Sequence, residues 1–162
     1  MRLPLFALAA LVGIVLALLG SEPLWLPAVA ALLIFPVAAT ITNREFRAGR
    51  RAPLLPATLT AFSGGLLTAL ALRLAADAPG WLSATAADCG GPSTGVQQLV
   101  LWTSTLIFLL AALPVAATTL DIGRRLGPAG TAEDASPALA YYPVAVALSG
   151  MALIAAGYVT TC

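Results

Sequence analysis

The sequence predicts an all-α fold: a polytopic membrane bundle of about five transmembrane helices in a single integral membrane domain, residues 1–162. Three observations carry this. Hydrophobic residues make up 60% of the chain and charged ones 9%, a balance too apolar for a soluble domain of this size, which must keep most outward faces polar. The apolar residues gather into five continuous runs of 18 to 23 residues, where a barrel strand would alternate over about ten. Arginines cluster after every second run, as expected of a chain that crosses and recrosses a bilayer.

The first run, residues 3–20, is long enough to cross a hydrocarbon core of about 30 Å at about 1.5 Å per residue. Arg2 precedes it. A signal peptide has a similar outline, but Leu18-Leu19-Gly20 is a poor small-x-small cleavage site, so a retained span is expected. The second run, 24–42, leads into a loop at 43–53 that carries Arg44, Arg47, Arg50 and Arg51. Those four arginines assign this side to the cytoplasm.

The third run, 54–76, heads outward and is expected to end at Asp77-Ala78-Pro79-Gly80, opening an outer loop over 77–98. The fourth run, 99–119, returns to a second cytoplasmic loop at 120–138, which holds Arg124 and Arg125 and several Gly, Pro and Ser residues. The fifth run, 139–159, carries the chain out again. The amino terminus is thus expected in the cytoplasm and the carboxyl terminus outside. Aromatic placement agrees: Trp25, Trp81, Trp102 and Tyr158 fall near the outer interface, and Tyr141 and Tyr142 near the inner one.

The second and fourth runs end alike. Phe35-Pro36-Val37-Ala38-Ala39-Thr40 matches Leu113-Pro114-Val115-Ala116-Ala117-Thr118, and Ala61-Phe62-Ser63-Gly64-Gly65 of the third run matches Ala147-Leu148-Ser149-Gly150-Met151 of the fifth. This pattern predicts a parallel duplication of two helix hairpins, spans two-three and four-five, related by an axis along the membrane normal, as in some transporters.

Small residues recur every four positions: Ala9, Gly13 and Ala17 in the first span, and Ala57, Ala61, Gly65 and Ala69 beside Thr60, Gly64 and Thr68 in the third. Such stripes let membrane helices approach closely. Two adjacent stripes predict that the third helix is central. By the repeat, Ser149 and Gly150 are the packing positions of the fifth helix. Pro36 and Pro114 lie inside their runs, where each removes a backbone hydrogen bond, so matched helix kinks are expected.

Residues that carry chemistry are few. With no histidine in the chain, a bis-histidine haem, a histidine-based zinc or copper site and a Ser/His/Asp triad are excluded within it. A net charge of +1 offers no basic face for nucleic acid. Cys89 and Cys162, both on the predicted outer side, have one intramolecular pairing and form a candidate disulfide; they lack the Cys-x-x-Cys spacing of a thiol oxidoreductase.

Arg73 is the one ionisable residue inside an apolar run. It stands about a turn from the outer end, where it can snorkel or pair with Asp77 four residues on. The hydroxyls Thr103, Ser104 and Thr105 are expected to bond to their own helix. Glu45, Glu133 and Asp134 read as solvated loop charges.

No catalytic, cofactor or metal site can be assembled from these residues. The expected function is that of a non-catalytic accessory or structural subunit, or an assembly factor, of a membrane complex. Its expected partners are membrane lipids and either a membrane protein or further copies of the chain. The alternative is a small transporter or channel with a cavity between the repeated hairpins. Eight arginines and no lysine in an Ala- and Leu-rich chain point to a GC-rich prokaryotic source and hence to the plasma membrane.

Overall fold

The computed structural model describes residues 2–20, 25–51, 53–88, 95–127 and 145–150. Among them all regular structure is helical, in four long elements: α1 (Arg2–Leu19), α2 (Trp25–Arg47), α3 (Leu54–Asp88) and α4 (Gly95–Leu126). Each contains a stretch long and apolar enough to cross a membrane, so the chain is a membrane-type helical bundle. Residues 145–150, inside the predicted fifth span, are also helical, with Ala145 and Ser149 buried and Val146 against the core. The rest of that span lies outside the described residues.

The helices outrun the predicted spans. Residues 43–47 continue α2, 77–88 continue α3, and 95–98 and 120–126 belong to α4, so much of what was read as loop is helix. Hydrophobicity marks where the hydrocarbon ends, whereas backbone hydrogen bonding decides where a helix ends. With 35 residues, α3 is about 52 Å long at about 1.5 Å per residue, well beyond a core of about 30 Å. It runs through Pro79-Gly80, a pair expected to stop it, because the restriction before proline is a bias and not a bar.

The end of α2 comes at a glycine cap. Gly49 takes φ +66°, its N–H donates to Phe46 O at 3.0 Å, and Arg50 N–H donates to Glu45 O at 2.9 Å. These two bonds and the left-handed glycine form a Schellman motif. The chain then turns, and α3 begins directly after Pro53, whose carbonyl accepts from Ala57 N–H at 3.3 Å.

The hub is α3, which packs against α1, α2 and α4, while the other helices touch each other little. Within the membrane-length windows, 61% of α3 is buried against 17% of α1. The core runs along this hub through Ala61, Leu66, Leu67 and Leu70 of α3, Phe35 and Ala39 of α2, and Phe108, Val115 and Ile122 of α4. Around it Leu8, Leu11, Leu33 and Leu113 stand exposed. In water such a rim would drive aggregation; against lipid tails it carries no such penalty.

Four of the buried or half-buried hydroxyls are satisfied locally. Thr60 Oγ1 donates to Pro56 O at 2.8 Å, Ser63 Oγ to Leu59 O at 2.6 Å, Thr68 Oγ1 to Gly64 O at 2.8 Å and Thr119 Oγ1 to Val115 O at 2.8 Å. Each returns to the preceding turn of its own helix, which keeps polar groups tolerable at membrane depth.

Candidate functional site

Four helix ends meet at one pole of the bundle: the start of α1, the end of α2, the start of α3 and the end of α4. Seven of the eight arginines belong to these ends and the α2–α3 turn. The Schellman turn after Arg47 places Arg50 and Arg51 between α2 and α3, and Arg124 and Arg125 form the last turn of α4. Cations at a helix C-terminus complement its partial negative charge, so these arginines also stabilise the helix ends of α2 and α4.

Not all of these arginines converge. Arg44, Arg47, Arg50 and Arg124 are exposed, and Arg50 Nη1 lies a loose 3.9 Å from Glu45 Oε2. Arg2 and Arg51 are exposed as well, but with Arg125 they line a common pocket of about 250 Å³, together with Phe46 and Leu126.

Arg125 is the anchored member. Its side chain is 8% exposed, its Nη2 is 2.9 Å from Asp121 Oδ2, and its guanidinium sits 6.0 Å from the centre of the Phe46 ring. The Asp121–Arg125 spacing of four residues puts both on one helix face. At 2.9 Å the charges pair, but the N–H is not aligned on Oδ2, which accepts no hydrogen bond; this contact is Coulombic more than directional. Among the described residues, two other buried polar atoms near this pole also have no hydrogen-bond partner: Asn43 Oδ1 and Thr118 Oγ1. The Asn43 amide donates to Ala39 O at 3.0 Å.

At the other pole Arg73 is structural. Its Nη1 donates to Ala17 O at 3.0 Å and to Gly20 O at 2.9 Å, and its Nε lies 3.4 Å from Asp77 Oδ2. The expected Asp77 pairing is present, and the guanidinium also takes carbonyls at the end of α1, where unpaired C=O groups and the helix dipole favour a cation. That second contact joins residues more than fifty positions apart, so no local sequence pattern signals it.

The glycines hold the bundle together. A Cβ on Gly13 would collide with the Phe62 carbonyl oxygen, and one on Gly65 would fall 2.5 Å from the Ala10 carbonyl oxygen. Thus α1 and α3 cross backbone on backbone, and buried Ala61 lies on the same helix. Gly64 opens the other side of α3, where a Cβ would strike Thr119 Oγ1 of α4 and stand 2.9 Å from the Phe35 ring of α2. One small residue therefore lets three helices meet.

Among the other predicted residues, Pro36 and Pro114 are half-buried within unbroken α2 and α4. Ser149 is buried, while Gly150 is half-buried with no described atom within 4 Å of a Cβ position. Cys89 and Cys162 lie outside the described residues, and so does most of the proposed fifth span. Thr103 is exposed and Thr105 buried. Arg2, Phe46, Asp121 and Leu126 were not singled out as a site in the sequence. Only the Asp121–Arg125 spacing signalled it.

Among the described residues no three of His, Cys, Asp or Glu gather as metal ligands. No protein-family model, curated protein or solved structure matches this chain.

Proposed function

We propose that the chain is a non-catalytic scaffold of a membrane assembly, an accessory subunit or assembly factor whose working part is its helical surface. The observation that carries this reading is how the centre of the described bundle is filled. The backbones of α1 and α3 meet at Gly13 and Gly65, and Phe35 and Thr119 close over Gly64. The hydroxyls buried along α3 return their hydrogen bonds to α3 itself. A helix packed on three sides in this way is suited to holding a shape and presenting its outer faces.

In the same reading the arginine-rich pole faces the cytoplasm of a prokaryotic cell, the opposite pole faces outward, and Cys89 and Cys162 bridge there. The partners are lipids and either another membrane protein or further copies of the chain. The deciding experiment is purification in a mild detergent, with mass analysis of what accompanies the chain. A stoichiometric protein partner or a defined homo-oligomer is the expected result. A lone monodisperse monomer that moves a solute in liposomes would end this reading.

A second reading, a small transporter, draws on Pro36 and Pro114 in two of the three helices packed on α3, and on the polar atoms of Asn43, Thr118 and Asp121 without hydrogen-bond partners among the described residues. Broken or strained helices beside polar groups line many translocation paths. Solute flux lost on replacing Asn43 and Asp121 would favour it over the scaffold.

A further inference from the structure

We propose that the pocket formed by Arg2, Arg51, Arg125, Phe46 and Leu126 binds a phosphate ester, of the kind carried by an anionic phospholipid headgroup. Three arginines contributed by three separate parts of the chain, the start of α1, the turn after α2 and the last turn of α4, line one pocket of about 250 Å³, and among the described residues no acidic one lines it. That volume is several times the share of about 30 Å³ that one water occupies in the liquid. Guanidinium groups suit phosphate because their donors form a planar fork matched to two oxygens.

Arg2 and Arg51 are exposed at the mouth of the pocket, and Arg125 is its fixed wall. Arg125 is 8% exposed and is held from one side by Asp121 at 2.9 Å and from the other by the Phe46 ring at 6.0 Å. An anchored guanidinium loses little freedom when it takes a ligand. Arg51 is carried on the turn locked by Gly49 and the Arg50-to-Glu45 backbone bond, and Arg2 by the first turn of α1, which packs through Phe6 close to Gly123 of α4. The fold thus brings positions 2, 51 and 125 together before any ligand arrives.

Its location matches a headgroup. The pocket lies where the helices leave the apolar zone, beside the exposed leucines Leu3 and Leu5 of α1, and its other described lining side chains, Phe46 and Leu126, are apolar. A phosphate seated on the arginines can therefore leave its acyl chains along the side of the bundle. Basic pockets between transmembrane helices on the cytoplasmic side are suited to anionic headgroups on these grounds.

The test uses the full chain in a neutral detergent. Thermal melting is followed while phosphatidylglycerol, phosphatidylcholine or sodium phosphate is added, and native mass spectrometry counts retained lipid. Phosphatidylglycerol is expected to raise the melting temperature and to survive as a bound adduct, with phosphatidylcholine much weaker. Protection by sodium phosphate alone, at matched phosphate, would identify a free anion as the source; protection only by phosphatidylglycerol identifies the lipid. Either supports the phosphate site.

The variants Arg2→Gln and Arg51→Gln leave the Asp121–Arg125 pair intact. At about 1 kcal/mol for each arginine near an anionic headgroup, each should weaken apparent affinity about fivefold, and the double variant about 30-fold. Melting without lipid shows that the variants are folded. Equal binding of the two lipids with no effect of phosphate, or unchanged affinity in the folded double variant, overturns the proposal.

Discussion

Replacing Gly65 by alanine adds one methyl group at the point where α1 crosses α3. Its Cβ would stand 2.5 Å from the Ala10 carbonyl oxygen, about 0.9 Å short of an ordinary contact at 3.4 Å. The atom in the way is backbone, so no rotamer change relieves it, and the helices must separate locally by most of that deficit. A gap of about 0.5–1 Å forfeits between a quarter and a half of each dispersion contact it opens, and overpacking of this kind costs about 1–3 kcal/mol. Against this, alanine is the better helix former by about 1 kcal/mol.

The net expectation for Gly65→Ala is a loss of about 0–2 kcal/mol. Gly13→Ala should lose more, because its Cβ would meet the Phe62 carbonyl oxygen even more closely and also lie 3.0 Å from Leu66 N and 3.1 Å from Phe62 C. Gly123→Ala should be close to neutral, since the nearest atoms belong to the Phe6 ring edge at 3.0 and 3.6 Å, and a side chain can move. Thermal melting in lipid nanodiscs reads the series, at about 2–4 °C per kcal/mol for a chain of this size. The order of loss should be Gly13, then Gly65, then Gly123. If the first two variants were as stable as Gly123→Ala, the backbone crossing of α1 and α3 would be refuted.

Arg73→Met keeps most of the side-chain volume but strips Ala17 O and Gly20 O of their charged donor; a loss of about 1–3 kcal/mol is expected, along with faster amide exchange at the end of α1, and unchanged exchange there would refute the capping role. Gly49→Ala forces a β-carbon into the left-handed region and should cost about 1–2 kcal/mol, with Gly49→Asn costing less, as denaturation of the two variants against the parent would show. For the cysteines, mass mapping of the unreduced chain should return one peptide pair joined through Cys89 and Cys162. Recovery of two separately alkylated thiols under the same conditions would remove the bridge and the outer tether with it.

The legibility of this protein follows the range of the forces involved. That the chain is a membrane bundle could be read directly, because the transfer of about 20 apolar residues into hydrocarbon is a property of each segment taken alone. The centrality of α3 was also legible, since two adjacent small-residue stripes can only serve a helix with neighbours on two sides, and Gly64 and Gly65 do face different partners. The ends of the helices were less so. Arg44 to Arg47 and Asp121 to Arg125 look like loop by polarity, yet they are helix, because polarity reports the water boundary and the backbone stops only where a cap such as Gly49 stops it.

What only the tertiary structure decided is which distant residues meet. The sequence contained seven arginines near one predicted face, but nothing in their spacing separates Arg2, Arg51 and Arg125, which share a pocket, from Arg44, Arg47, Arg50 and Arg124, which do not line it. Nor could it show Arg73 reaching the carbonyls of Ala17 and Gly20. Hydrophobicity and helix periodicity act along the chain, whereas the juxtaposition of side chains from α1, α2 and α4 depends on how the backbones cross at Gly13, Gly64 and Gly65. The membrane was thus written segment by segment in the sequence, and the charged pocket exists only once those three glycines let the helices close.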